Sequence, residues 1–524
     1  NGRSGYSNIG SAANSNIMID GNATINNNIY GGGNYGAVGV SSRHNTTNTN
    51  ILLKGGNVLG SVYGGGNNNG SGSTSKKSTI NIKLDGGTVD GSIYGGSKTT
   101  GTIYGDVVID AINGSSSNIY GGGEGGHLNY NNSGTYVSNN ITLNIGSNNT
   151  NSLVINNNIY GGSAFGSVGG ISENANNSSY TTTVNINNGK IVGNVFGGGK
   201  GNNQFTPKEY GDVFVNINGG SIGSVFGGND AAGSPSKDNY VKLNGGVIGN
   251  VYGGGNNTGG NITKVYMNGS NVTGDIYGGS NRSGVVNNTN IYVNSGKVNN
   301  IYGGNNLGGT ASNTNIDYNG CDISGNIYGG GNRADTNVTL VNINSGKIND
   351  LFGGGNSAGV KTSNIKVYTS TVRDIYGGSN NSGSVNDTNI TIKNLPAIRD
   401  IYGANNLGGT TNNTSIVVDG GTINNIYGGG NQVGVNTSSI KVNGGLINGV
   451  YGGSNNSGTA SNTQVVVNNS DTTIKDLYGG NNNGGKTINA NLLVNNGKIN
   501  NIYGGGNKAS TNKTNTKIVK GNIN

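Results

Sequence analysis

The sequence predicts an all-β fold, a single right-handed parallel β-solenoid (β-helix) of about 18 coils of roughly 25 residues each, and three observations predict it. A short phrase recurs along the chain: an aliphatic residue, then Tyr or Phe, then glycines, usually followed by Asn. Its aromatic residues are Tyr30, Tyr63, Tyr94, Tyr120, Tyr160, Phe196, Phe226, Tyr252, Tyr277, Tyr302, Tyr328, Phe352, Tyr376, Tyr402, Tyr427, Tyr451, Tyr478 and Tyr503. From Phe226 onward they are 24 to 27 residues apart, and a fixed period of that size belongs to stacked repeats that share one continuous core. The stretch ahead of each phrase alternates apolar and polar residues with a period of two, the pattern of a strand with one buried face. Glycine supplies 105 of the 524 residues and charged residues only 10%, so the chain is rich in turns and carries little charge to keep it apart.

One coil shows the elements in order. Thr289, Ile291 and Val293 alternate with Asn290, Tyr292 and Asn294 as a longer strand. Ser295-Gly296 is a turn, Val298 marks a short strand, and Ile301-Tyr302 a third, closed by Gly303-Gly304-Asn305-Asn306. The order recurs as Thr414, Ile416, Val418, Ile423, Ile426, Tyr427, and again as Thr463, Val465, Val467, Ile474, Leu477, Tyr478. Handedness follows the rule for parallel crossovers. A coil this rich in glycine cannot stand alone, because ordering its backbone outweighs the few aliphatic side chains it buries; neighbours above and below must complete it. At the parallel-strand spacing the array forms a rod roughly 85 Å long.

The aliphatic residue of the Ile-Tyr pair points inward and the aromatic one outward or at a corner, because successive side chains alternate. Tyr252, Tyr277, Tyr302, Tyr328, Phe352, Tyr376, Tyr402, Tyr427, Tyr451, Tyr478 and Tyr503 then form a structural ladder. An inward aromatic core stack is the alternative. Asn after the glycines forms amide ladders along the axis. The regular Thr is in phase with the inward aliphatics, which argues against an outward ice-binding array.

The chain forms one continuous domain with two textures. Residues 1–225 are coils with loop insertions, and residues 226–524 are regular coils. Before Phe226 the spacings are 33, 31, 26, 40, 36 and 30. The extra residues fall in Asn34–Thr47, Glu124–Asn139, Ser163–Tyr180 and Lys200–Tyr210. These loops hold all three glutamates, Glu124, Glu173 and Glu209, and both histidines, His44 and His127, with Phe165 and Phe205. Loops tolerate residues that a strict coil excludes; the alternative is a recognition ridge built from Glu124, His127, Phe165, Glu173, Phe205 and Glu209. Glu124 and His127 alone do not make a metal set.

No catalytic signature accompanies the repeat, so the chain reads as a non-enzyme without cofactors. Polysaccharide-cleaving β-helices need clustered acids or paired carboxylates, and here Asp is scattered. Calcium nonapeptide repeats need a regular Asp and a nine-residue period, which are absent. No Lys and Ser/Thr follow the glycines as a phosphate loop requires. Asp350, Asp374 and Asp400 precede the aromatic by two residues in successive coils, and stacked like charges repel unless neutralised. Arg373 and Arg399 supply an ion-pair ladder; a divalent cation on the carboxylates is the alternative. The net charge of +8 is spread thinly and is not interleaved with aromatics, so no nucleic-acid partner is expected. No apolar run suits membrane insertion. The lone Cys321 forms no intramolecular disulfide, as suits an oxidising environment.

The run Gly420-Gly421-Thr422-Ile423-Asn424-Asn425-Ile426-Tyr427-Gly428-Gly429-Gly430-Asn431 resembles the repeats of large Gly/Asn-rich β-solenoid surface and secreted proteins of bacteria, of the adhesin or fibre type. The resemblance covers nearly the whole chain and implies an extracellular, secreted or cell-surface location. The expected function is that of a structural subunit of a bacterial surface fibre or filament, with itself as end-to-end or lateral partner. An adhesin whose insertion loops hold glycan or host protein is the alternative, and a polysaccharide-active enzyme the second. Because Asn1 opens the sequence and Ile518-Val519 falls partway through a coil, an excerpt of a longer chain is expected, or subunits that stack.

Overall fold

The computed structural model describes residues 14–39, 47–126, 134–147, 152–170, 179–394 and 396–523. Every regular element among them is a β-strand, and the pairing is parallel throughout the main sheet, so the fold is a β-solenoid. The chain divides into two compact units, Asn1–Gly274 with Ser280–Val286, and Asp275–Gly279 with Asn287–Asn524.

In the first unit the long strands Asn48–Leu53, Thr79–Tyr94, Val107–Tyr120, Ile141–Ile145, Thr181–Ile186, Asp212–Ile217 and Asn239–Leu243 pair each with the next. Apolar residues meet in register: Ile82 lies opposite Ile109, Leu143 opposite Val184 and Val215 opposite Val241. In the second unit the same ladder runs from Thr310–Tyr318 through Thr336–Ile343, Val360–Val367, Ser384–Ile392, Thr410–Val418, Val435–Val442, Thr459–Val467 and Lys486–Val494 to Ser510–Ile518. Ile365, Ile390, Ile416 and Ile440 form one buried inward column. A one-residue slip would turn that column to solvent, which is why the register is strict.

The short second and third strands are separate in some coils and fused in others. Ile301–Tyr302 and Ile327–Tyr328 stand alone, whereas Lys347–Phe352, Thr371–Tyr376 and Thr422–Tyr427 are continuous. The separate pairs Ile276–Tyr277 and Ile301–Tyr302 carry a side-chain acceptor two residues before the aromatic. There a side chain accepts the next coil's amide in place of a carbonyl: Asn300 N–H donates to Asp275 Oδ1 at 3.0 Å, and Asn326 N–H to Asn300 Oδ1 at 2.8 Å. The chain bends at that side-chain bond without leaving the amide unsatisfied.

Most of the aromatic residues are not on the outside; Tyr30 and Tyr451 are half-buried and Tyr503, in the last phrase, is exposed. Ile401 and Tyr402 are both buried, at 0% and 5% exposure. The rings lie face to face, with centroids 4.6–5.2 Å apart from Tyr30 to Tyr252 in the first unit and 4.5–5.0 Å apart from Tyr277 to Tyr503 in the second. Each ring covers its neighbours' faces, and only the hydroxyl edge reaches polar groups. Strand alternation misleads here because the chain turns immediately after the aromatic. Burial raises the phenols of Tyr302, Tyr376 and Tyr478 above their ordinary range, Tyr478 up to about 12.

The glycines after the aromatic answer a packing demand. All eighteen first positions are Gly. A Cβ on Gly377 would stand 2.1 Å from the Gly403 carbonyl oxygen, and one on Gly403 would stand 2.3 Å from that of Gly428. The ladder amides skip this carbonyl: Gly278 N–H donates to Tyr302 O and Gly279 N–H to Gly304 O, passing over Gly303 O. A buried hydroxyl takes it instead. Thr289, Thr314, Thr339, Thr388, Thr414 and Thr463 donate to the first glycine of the following phrase at 2.5–2.6 Å. The in-phase Thr of the sequence is therefore the partner of a carbonyl that would otherwise be orphaned.

The third position after the aromatic carries Ser280, Asn305, Gly331, Gly355, Ser379, Asn405, Gly430, Ser454, Asn481 and Gly506 in the second unit. These side chains lean against the preceding coil. Gly355 N–H donates to Ser379 Oγ at 3.2 Å, Ser379 N–H to Asn405 Oδ1 at 2.8 Å and Ser454 N–H to Asn481 Oδ1 at 2.9 Å. Asn405 Nδ2 donates to the carbonyls of Gly383 and Gly408, at 2.9 and 3.0 Å. Room for Asn405 exists because Gly378 has no Cβ; one there would lie 1.9 Å from Asn405 Oδ1. The only second glycine replaced is Ala404, and the coil after it presents Gly430, which has no side chain to meet it.

One position further, Asn306, Asn332, Asn356, Asn380, Asn406, Asn431, Asn455, Asn482 and Asn507 form the expected ladder. Each amide donates to the Oδ1 of the one before at 2.9–3.1 Å.

Candidate functional site

Three of the insertions build a ladder of their own with segments that follow Tyr94 and Phe226. Gly101–Ile103, Thr135–Val137, Ser167–Val168, Lys208–Glu209 and Ser234–Pro235 pair in parallel as a five-stranded sheet. This second sheet positions the candidate residues. Glu124 follows the glycine run after Tyr120, in the row that carries Asn in the second unit. Its Oε2 accepts the Tyr63 hydroxyl at 2.5 Å, two phrases back in the chain. Burial, with Glu124 beside it, pushes the Tyr63 phenol far above its usual range. Asp230 does the same for Tyr160, whose hydroxyl donates to Oδ2 at 3.1 Å.

Phe165 N–H donates to Glu124 O at 2.9 Å, which sets the Phe165 ring beside the Glu124 loop. Phe205 approaches to 5.8 Å between centroids, tilted by 52°. Lys200 Nζ lies 5.8 Å from the Phe165 centroid, within cation–π range. Glu124, Phe165 and Phe205 are thus brought together, half-buried, with Lys200 as a cationic edge that sequence reasoning missed; nothing in the spacing told that Lys200 would meet Phe165. Glu209 is not on this ridge. It is 1% exposed and faces the interior. His127 and Glu173 lie outside the described residues, as does His44. Among the described residues no three His, Cys, Asp or Glu side chains group as a metal set.

In the second unit the aspartate row forms staggered ion pairs between coils. Arg373 Nε and Nη2 reach Asp350 of the preceding coil at 2.8 and 2.5 Å. Arg399 grips Asp374 in the same way, its Nε at 2.8 Å and its Nη2 on Oδ2. Asp400 receives Asn424 and Asn425 amides at 3.2 and 2.9 Å. Burial is the largest influence on the Asp374 carboxyl and holds it above the usual carboxylate range against the pull of Arg399. Arg399→Met therefore leaves a buried, unpaired acid and lowers stability by about 2 kcal/mol, whereas Arg373→Met, beside the better-hydrated Asp350, costs about 1 kcal/mol or less. Urea denaturation of both variants checks the ranking; equal losses would refute it.

Beside this row an open groove of about 920 Å³ runs over the second strands, lined among others by Lys347, Arg373, Arg399, Leu446 and Lys475. Its floor is aliphatic, its rim is cationic, and two of its four cations are matched by aspartates. The chain matches no protein-family model, no curated protein and no solved structure.

Proposed function

We propose that this chain is a structural segment of a bacterial extracellular fibre, built to stack on further coils end to end. The observation that supports this reading is that the columns are self-complementary along the axis. Aromatic meets aromatic, Asn amide meets Asn carbonyl, and Arg399 of one coil meets Asp374 of another. A coil contributed by a second copy would find the same partners, a head-to-tail contact that propagates rather than closes. The low charge, single Cys and two Met in 524 residues suit a secreted chain exposed to oxidants.

Negative-stain electron microscopy of the purified chain over a concentration series tests the assembly: filaments of constant width are expected, and discrete particles of one chain at every concentration would overturn it. Protease shaving of intact source cells tests the location, and a chain released only on lysis overturns that part. A binding module is the second reading, favoured by the Phe165, Phe205 and Lys200 cluster. Replacing both phenylalanines by Ala then abolishes retention on immobilised surface polysaccharide while circular dichroism is unchanged. Unchanged retention removes that reading.

A further inference from the structure

Glu209 occupies a place that the rest of its column gives to apolar residues. Its strand partners in register are Val168 on one side and Pro235 on the other, and Val168 continues to Val137 and Ile103. Neither carboxyl oxygen has a hydrogen-bond partner, and neither does Oδ1 of Asn229, which is 0% exposed. Asn229 Oδ1 and Glu209 Oε2 flank the same glycine, Gly198, and Glu209 Oε1 lies over Gly162. A Cβ on Gly198 would stand 1.8 Å from Asn229 Oδ1 and 3.1 Å from Glu209 Oε2, and one on Gly162 would stand 2.4 Å from Glu209 Oε1. Buried acceptors without a completed hydrogen bond are costly, and a carboxylate most of all.

The second unit shows what is missing. Asn405 Oδ1 accepts from the Thr411 hydroxyl and Asn481 Oδ1 from the Thr487 hydroxyl, each at 3.1 Å and each from six residues on. Six residues after Asn229 stands Pro235, which has no donor at all. The preceding coil also differs: Ser379 and Ser454 donate their amides to Asn405 and Asn481, but the coil before Asn229 carries Gly199 at that position and gives Asn229 Oδ1 no such bond.

We propose that Glu209 is held as the neutral acid in the folded first unit, its carboxyl proton donated to Asn229 Oδ1 in place of the threonine hydroxyl, so that this coil loosens as the surroundings turn alkaline. The residues placed against Glu209 are Val168, Pro235, Asn229, Gly162, Gly198 and Gly199, none of them titratable, and Tyr210, the next residue of the chain, is buried. Lys208, its neighbour in the strand, alternates to the half-exposed face. Lys200 lies over Phe165, and Asp230 is taken by Tyr160 and Asn256. Burial pushes the Glu209 carboxyl up to about 7, from an ordinary 4.5, against the smaller pull of the Asn229 amide and the Gly199 and Glu209 backbone amides, which lie near it short of hydrogen-bond geometry. The sign follows. Between those two values the folded chain holds a proton that the unfolded chain has released, so stability is full below about 4.5 and falls as pH rises through about 7.

The test is urea denaturation of the full chain at pH 5.5 and 8.5, with Glu209→Gln beside it. The unfolding constant of the wild type rises roughly 30-fold over that interval beyond the change seen in the variant, whose amide donates to Asn229 at every pH. An identical pH response in both overturns the proposal. Restoration of the wild type at pH 8.5 by calcium or sodium chloride, absent in Glu209→Gln, assigns the three oxygens to a cation and also overturns it. Should the variant not fold, infrared spectra of wild type labelled with carboxyl-13C glutamate decide: one protonated carboxyl among three glutamates at pH 6 is expected, and none refutes.

Discussion

Gly378→Ala lowers stability by about 3 kcal/mol, a large effect for one methyl group. The new Cβ lies 1.9 Å from Asn405 Oδ1 and 2.9 Å from its backbone nitrogen, so the asparagine side chain must leave its place. It cannot do so cheaply. Asn405 satisfies the amide of Ser379, the hydroxyl of Thr411 and the carbonyls of Gly383 and Gly408, all within the interior. Asn405→Gly alone orphans those groups and costs about 3–5 kcal/mol. The informative variant is the double one. With Asn405→Gly in place the methyl of Gly378→Ala meets no side chain, as Ala404 meets none over Gly430. The double variant keeps only the 2.9 Å approach to the backbone nitrogen of position 405, so it is less stable than Asn405→Gly alone by about 1 kcal/mol rather than about 3, a coupling of about 2 kcal/mol. Urea denaturation of the four proteins measures the cycle, and additive losses would show that the glycine is not reserved for the asparagine.

Tyr402→Ala removes a ring stacked at 4.7 Å on Tyr376 and at 4.9 Å on Tyr427, and costs about 3–5 kcal/mol. Tyr402→Phe costs about 1 kcal/mol or less, because the column already holds Phe352 between Tyr328 and Tyr376 without a break in spacing. The loss is also local. Coils exchange energy only with their neighbours, so hydrogen exchange accelerates in the strands next to Tyr402 and not in the Tyr302 coil. A loss below about 1 kcal/mol for the alanine variant, or uniform acceleration, refutes the stack as a load on stability.

Much of this fold is legible in the residues. The period sets the stacking, the alternation sets the inward face, and the phase of Thr414 with Ile416 and Val418 places its hydroxyl inside. The Asn ladder and the Arg–Asp pairing follow from one rule, that equivalent residues of successive coils stand one strand spacing apart. What stayed hidden depends on contacts across the coil rather than along it. The inward aromatic requires knowing that the chain turns at the next glycine. The burial of Glu209 requires knowing that the insertions form a second sheet in which it falls opposite Val168 and Pro235. Loop composition made Glu209 look like a surface residue, whereas its register makes it an interior one. The pairing of Phe165 with Phe205 and Lys200 joins segments whose lengths are irregular, and no periodic rule brings them together.

The Ser, Asn and Gly order at the third position also constrains how such a gene grows. An asparagine there rests on a serine coil and is followed by a glycine coil, at Ser379, Asn405, Gly430 and again at Ser454, Asn481, Gly506. Duplicating an asparagine coil out of phase sets two bulky amides against each other. Duplication in phase copies the group whole, over 75 residues from Ser379 to Ser454, whereas the preceding group, Ser280, Asn305, Gly331 and Gly355, carries a second glycine coil. An empty place is tolerated beside another, so the rule that such a gene must keep as it lengthens is that each asparagine coil is followed by a small residue.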